Sequence, residues 1–448
     1  MSCQLRDHGS KRRLAPRTQG PQRGVIVMAR RRGARLWRAF ARHPTVLART
    51  RVQAHKTVYR RIPTRVVFGN GKVDSLKDEV QNLGGKRVLV LSGKTVADKT
   101  DSVRRVNAAL GNLSVGVYSK LTQRAPLATA VEAANLAVAN GVDTLVGIGG
   151  STISDAARMI AVLMAEGITT ESQLRQLGED QDMMLSPNLD GKSLPLQVSI
   201  PTTLSAGEFN MGGGNVLDDQ AGHKIRVRHP RLYSDLIMLD AVMTEGTPDW
   251  LWLSTGVKCL DHCIERLYTS GNQPAIDAPI LAASEMIFTH LPKSRESDND
   301  LEARLKCLIA AWMSMMGAPN FATGLSHAIG HIIGVHYSVG HGYTSCVTQP
   351  YVMEFNRPVS AAKQALLARS AGLDTRGLSD DDAAVAAARA VDDFVIGMGL
   401  PHRIRELEIP EEDLTTIAEL VLTDGGCLTN PIPITSAEQV MEVLRKAF

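Results

Sequence analysis

The sequence predicts an α/β domain followed by an all-helical domain. Apolar runs of four to six residues alternate with helical windows up to about Thr247, which argues for a mostly parallel sheet covered on both faces. Beyond Thr247 strand signals nearly stop, and windows of helical spacing follow one another to the C-terminus. The 448 residues, 44% hydrophobic and 21% charged, suffice for two domains and a large buried core.

The chain divides at residues 1–53, 54–247 and 248–448. The first stretch lacks an apolar period and is crowded with arginine. Residues 1–61 hold 17 Lys or Arg against one acid, Asp7, so a leader near +16 precedes a body near −12. Such a leader reads as a disordered basic arm, as an Arg-rich, acid-poor transit segment, or as sequence upstream of an internal start at Met28. Disorder without a catalytic role is the reading adopted. The acidic body argues against a nucleic-acid partner. No apolar run reaches membrane length. Six scattered cysteines without a CxxC point to free thiols in a reducing compartment. A cytoplasmic location is expected, or an organellar one if the leader is a transit peptide.

In order, TRVVFGNG reads as a strand closed by a glycine turn, 75–83 as a helix and RVLVLSG as a buried strand. LSVGVYS and DTLVGIGG are strand-like, with a helix at 128–140 between them, and LPLQVSIPTT and LIMLD continue the series. The second half should hold helices at 251–269, 275–291, 301–316, 361–371, 382–398, 411–422 and 436–447, with a polar turn at 294–300.

Chemistry concentrates at three places. GIGGSTISDAAR (147–158) follows a strand. Gly149 and Gly150 let a ligand approach the backbone, and Ser151 and Thr152 open a helix whose free N–H groups favour an anion such as a pyrophosphate. Asp155 either caps that helix or holds the loop. Thr202, Thr203 and Ser205 place hydroxyls at the end of the next strand, where α/β sheets bind ligands. The segment 324–349 carries His327, His331, His336 and His341. His327 and His331 share one helical face, and Gly334 and Gly340 can return His341 towards them. His262 lies on another helix in GVKCLDHCIE. Imidazoles in such a group serve as metal ligands or proton carriers.

Together these segments resemble the iron-containing alcohol dehydrogenase superfamily, and within it the branch close to maleylacetate reductases, over about 55–448. The resemblance rests on Gly149, Gly150, Ser151 and Thr152 ahead of Asp155 and Arg158, and on a short Pro-Thr-Thr segment at 201–208. It rests also on 256–265, on His327, His331 and His341, and on Asn430-Pro431. It implies a dinucleotide-binding α/β domain, an all-α domain and a cleft between them. By matching position, Gly93, Gly149, Gly150, Ser151 and Asp155 would serve cofactor binding, and Thr202, Thr203 and Ser205 would line the cofactor with Lys224 near it. His331 would lie near the nicotinamide, and His262, His327 and His341 would be ligands if a metal is bound. A homodimer and a small-molecule substrate are implied as well.

Two departures shape the expectation. Where the family carries a ligating Asp four residues before His262, this chain has Lys258. A divalent ion and an ammonium 4 Å apart repel by roughly 8 kcal/mol at an effective dielectric of 20. Asp261, about 100° around the helix from His262, reads as a poor substitute ligand. The sequence therefore predicts a metal-independent site without Fe2+ or Zn2+, in which Lys258 polarises the substrate oxygen. At Gly93 many family members carry an Asp that repels a 2′-phosphate. Gly93, with Lys94 and Lys99 nearby and Asp98 between them, predicts that NADP(H) is accepted beside NAD(H).

The resulting expectation is an NAD(P)H-dependent oxidoreductase that passes hydride to an activated carbonyl or enone, with His331 or His327 supplying the proton. A conventional Fe- or Zn-dependent alcohol dehydrogenase and a dehydroquinate synthase-like lyase are the alternatives.

Overall fold

The computed structural model describes residues 63–448, except 123–124, 182, 211, 221–222, 271, 273, 297–299 and 317–322. The reading of 1–53 as a leader lies outside the described residues. The N-terminal half is a doubly covered sheet. Its strands are β1 (Arg65–Phe68), β2 (Val88–Gly93), β3 (Ser114–Leu121), β4 (Thr144–Gly149), β6 (Leu196–Pro201) and β9 (Leu236–Leu239), ordered β1-β9-β6-β4-β2-β3 and all parallel. The two-residue period of a strand divides its side chains between faces. Val88, Val90, Val146 and Ile148 pack under α1 (Leu76–Asn82) and α3 (Ser102–Leu110). Leu89, Leu91 and Leu145 pack under α4 (Leu127–Ala139) and α5 (Ser151–Glu166). Each fully buried leucine of this kind contributes about 1.5–3 kcal/mol over exposure.

A small second sheet, β5-β8-β7, was not anticipated. It comprises β5 (Met184–Leu185), β7 (Gly213–Asp218) and β8 (His223–Arg228), with β7 and β8 antiparallel. Helices α2 (Lys94–Lys99) and α6 (Glu171–Asp180) were also unforeseen.

The described residues of the C-terminal half hold helices and no strand: α7 (Asp249–Tyr268), α8 (Pro274–Glu296), α9 (Leu301–Ser314), α10 (Leu325–His336), α11 (His341–Ser370), α12 (Asp380–Gly397), α13 (Leu414–Val421), α14 (Gly426–Thr429) and α15 (Ala437–Ala447). The expected helix at 361–371 is only the last third of α11, whose thirty residues run through Pro350 and Pro358. The polar turn expected from 294 does not begin there, because α8 continues to Glu296. Among the described residues no helix is long and apolar enough to cross a membrane. An N-terminal α/β region followed by an all-α region is the architecture the sequence predicts.

Candidate active site

The glycine turn expected to take an anion is built from backbone. β4 ends at Gly149, which has φ 151°, and a Cβ there would stand 2.6 Å from Ile153 Cγ1. Only glycine meets both demands. α5 starts at once with no side-chain cap, so its first N–H groups remain available to an anion. The neighbouring loop closes on it. Thr202 N–H donates to Gly149 O at 3.0 Å, and a Cβ on Gly207 would meet Ser151 Cβ at 2.4 Å. Thr202 and Thr203 are buried, and Thr203 Oγ1 lies 3.3 Å from Ser205 Oγ.

Arg158, fully buried, holds these loops in place. It donates to Gly207 O, Glu208 O and Gly213 O, each at 3.0 Å, and pairs with Asp155 at 3.2 Å. Asp155 also accepts from Asn215 Nδ2 at 2.7 Å. Of its two anticipated roles, Asp155 therefore ties α5 to β7. Burial pushes its carboxyl pKa up, against the pull of Arg158 and Lys224. Lys224, on β8, bears on both Asp155 and His341. Gly93 closes β2, and the exposed Lys94 pairs with Asp98 at 3.4 Å, which offsets part of the positive charge there.

The polar end lies on α7. Residues 258, 261, 262 and 265 follow i, i+3, i+4, i+7 spacing, so Lys258, Asp261, His262 and Glu265 form one stripe. All four are buried. α10 brings His327 against this stripe. Its Nδ1 donates to Glu265 Oε2 at 2.6 Å and stands 3.5 Å from Asp261 Oδ2. Glu265 also accepts the Gly324 and Ser326 N–H groups at 2.6 and 2.7 Å, which fixes the α10 N-terminus. His262 stacks on His327 with ring centroids 5.1 Å apart. His331 lies 6.3 Å from His327 and 5.7 Å from His341, so the four expected imidazoles do meet. His331 Nδ1 binds Asp424 Oδ2 at 2.8 Å, a partner the sequence did not suggest.

Two sequence-based expectations fail here. Lys258 Nζ is not an isolated cation. It donates to Asp261 Oδ2 at 2.9 Å, and Ser345 Oγ donates to the same oxygen at 2.6 Å. Burial raises the Asp261 carboxyl, but Lys258 and His327 outweigh it and hold its pKa below the usual value. Asp261, Glu265 and His327 each offer a ligand atom, all within 4.8 Å of one another and all buried, so the described residues include a group that can hold a metal ion. Two carboxylates outweigh one ammonium, and the repulsion that argued against a cation is offset. The metal-independent reading and the electrophilic role of Lys258 are therefore withdrawn, and so is the expectation that Fe2+ or Zn2+ is doubtful. The error lay in reading Asp261 along a single helix. His327 arrives from a second helix on the very side that Asp261 faces.

Fit to a metal has a second support. Asp261 Oδ1, His262 Nδ1 and His327 Nε2 are buried without a hydrogen-bond partner. Such groups are costly unless something absent from the chain satisfies them. Burial, followed by neighbouring cationic groups, pushes the pKa values of His262 and His341 well below normal. Burial and Lys258 lower that of His327 too, against the pull of Asp261 and Glu265, which favours the neutral ring, the form that ligates. A mixed carboxylate and imidazole set suits Fe2+ or Zn2+.

A glycine turn opening an uncapped helix and a buried carboxylate–histidine cluster are the parts that an NAD(P)-dependent oxidoreductase requires. Comparison with known proteins specifies which. Residues 63–241 match the family model described as iron-containing alcohol dehydrogenase, and residues 252–448 match that of the Fe-containing alcohol dehydrogenase family, C-terminal. The chain belongs to the iron-containing alcohol dehydrogenase family. It is 28% identical to the lactaldehyde reductase of Escherichia coli over 387 residues, covering 85% of this chain and 97% of that one. It is 26% identical to the NAD-dependent methanol dehydrogenase of Bacillus methanolicus over 390 residues, covering 86% and 99%. The solved 1,3-propanediol oxidoreductase shares the fold with TM-score 0.79 at 24% identity, covering 87% of this chain and all of that one. Maleylacetate reductase structures share it as well, at TM-score 0.71, so the fold does not single out that branch. Family membership sets the lyase alternative aside.

Proposed function

We propose that this enzyme is a conventional metal-dependent alcohol dehydrogenase, interconverting a small alcohol and its carbonyl compound with NAD(H) or NADP(H). The observation that carries this reading is the buried cluster of Asp261, Glu265 and His327, with unpartnered ligand atoms around it. These residues, with His262 and His341 beside them, would hold Fe2+ or Zn2+. A bound ion would supply a Lewis acid that polarises the substrate oxygen.

The other roles belong to the chain. Gly149, Gly150 and Ser151 receive the pyrophosphate on backbone N–H groups, and Thr202, Thr203, Ser205 and Lys224 line the cofactor. Glu265 orients His327, and Lys258 pairs with Asp261 in competition with an ion. His331 carries the proton between substrate oxygen and solvent. The site lies between an α/β domain at 54–247 and a helical domain at 248–448. Gly93 leaves room for a 2′-phosphate, so NADPH is accepted. A place near the maleylacetate reductases is a second reading, supported by the short 201–208 segment. The enzyme works as a cytoplasmic homodimer, which light scattering of the purified chain would check.

The test is metal analysis with turnover. Near one Fe or Zn per chain is expected, with NAD(P)H oxidation on an aldehyde panel lost to a chelator and restored by the ion. A metal-free preparation with full, chelator-resistant turnover would sink the proposal. Faster turnover on enones bearing a carboxylate than on any aldehyde would favour the second reading.

A further inference from the structure

We propose that Asp424 is the positioning residue of the reaction, fixing the tautomer and orientation of His331 so that Nε2 is the proton-transfer atom. The inference rests on the reading of His331 as the proton carrier.

His331 is half-exposed, with 47% of its side chain accessible, between the rings of His327 and His341. A ring in that setting keeps rotamer freedom unless something holds it. Asp424 holds it: Oδ2 lies 2.8 Å from His331 Nδ1, while Oδ1 accepts the Gly426 N–H at 2.8 Å. The turn bearing Asp424 is itself jammed against α10, since a Cβ on Gly426 would stand 2.6 Å from Gly324 O and 3.2 Å from Ala328 Cβ. Helix, turn, carboxylate and imidazole therefore form one rigid unit.

An ionised carboxylate only accepts, so Nδ1 must carry the proton of that hydrogen bond. In the neutral ring Nε2 is then the lone-pair nitrogen. One helical turn earlier the pattern repeats, with Glu265 on His327 Nδ1 at 2.6 Å. There the remaining nitrogen is buried and unpartnered, suited to a ligand. On His331 the remaining nitrogen belongs to a solvent-accessible ring, suited to proton exchange. In alcohol oxidation the hydride leaves to NAD(P)+, the hydroxyl proton passes to Nε2 and the imidazolium releases it to water. Reduction runs the same transfers backwards.

The experiment compares Asp424→Asn, Asp424→Glu, His331→Asn and the Asp424→Asn/His331→Asn double variant. Each is the purified full-length holoenzyme, assayed with whichever nicotinamide and aldehyde the parent turns over. Asp424→Asn is expected to lower kcat by about 10- to 100-fold. KM values should stay within about twofold, because ground-state binding is untouched. Metal content should equal the parent's, and Asp424→Glu should recover part of the rate. The double variant should be no slower than His331→Asn, because Asp424 acts only through that ring. Parent-like kcat in Asp424→Asn, with kcat lost in His331→Asn, overturns the inference and leaves the proton-carrier reading standing. So does an additive double variant, which is also the outcome a general folding defect would give. Unchanged kcat in His331→Asn overturns both.

Discussion

Lys258 shows how one residue's chemistry is set by its neighbours. Its Nζ donates to Asp261 at 2.9 Å, with the second carboxylate of the cluster, Glu265, close by. Removing the ammonium should therefore act in two directions. Lys258→Met leaves a buried carboxylate unpaired, which costs apo-protein stability by about 3–5 kcal/mol. The same change frees Asp261 and removes a repelling charge, so the apparent affinity for Zn2+ should rise at least about tenfold, equivalent to about 1.4 kcal/mol. Chelator competition measures the second effect. Melting of metal-free and metal-loaded protein measures the first, and the gain on loading should exceed the parent's. A variant that binds metal more weakly would show that Lys258 supports the site rather than opposing the ion.

At the scale of elements, the loops after β4 and β6 are held by one arginine. Arg158→Met removes three hydrogen bonds to carbonyl oxygens and the partner of Asp155. Melting temperature should fall and KM for NAD(P)H should rise more than KM for the aldehyde, since Gly207 would no longer seat against Ser151. On the proposed reading, cofactor choice belongs to the end of β2. Gly93→Asp should lower kcat/KM for NADPH at least about tenfold and spare NADH, because a carboxylate near the ribose repels a 2′-phosphate. Equal effects on both cofactors would count against that placement. Much of this frame was legible beforehand. The strands of the main sheet declare themselves as short apolar runs, and the glycine turn before Ser151 lies where the sequence puts it, between β4 and α5. The hairpin of β7 and β8 was not legible, because β7 opens on two glycines and carries a single β-branched residue, Val216. The metal cluster stayed hidden for a different reason. Glu265 and His327 are 62 residues apart, and His331 and Asp424 are 93 apart. Helical spacing shows which residues share a face, not which helix that face meets.

Across the whole molecule, the loop joining the two sheets carries a buried acid that couples stability to pH. Glu208 is 3% exposed, and burial pushes its pKa to about 7 despite the nearby Arg158. Its carboxyl titrates near 4.5 once the chain unfolds. Between those values the folded form binds more protons than the unfolded one, so this group's contribution to stability falls as pH rises from about 4.5 to 7 and is flat above. Glu208→Gln removes the titration while keeping the side chain's shape. The variant should therefore exceed the parent in stability at pH 8 by on the order of 3 kcal/mol at most. The difference should shrink as pH falls through 7 and vanish below about 4.5. His262, His327 and His341, whose pKa values burial depresses, impose the opposite slope below their ordinary range. That slope is shared by both proteins and cancels in their difference, so melting temperatures measured as a pair across pH isolate Glu208. A gap that stays constant with pH would mean that the carboxyl is not the titrating group, and that the substituted amide acts only through packing against the cofactor loop.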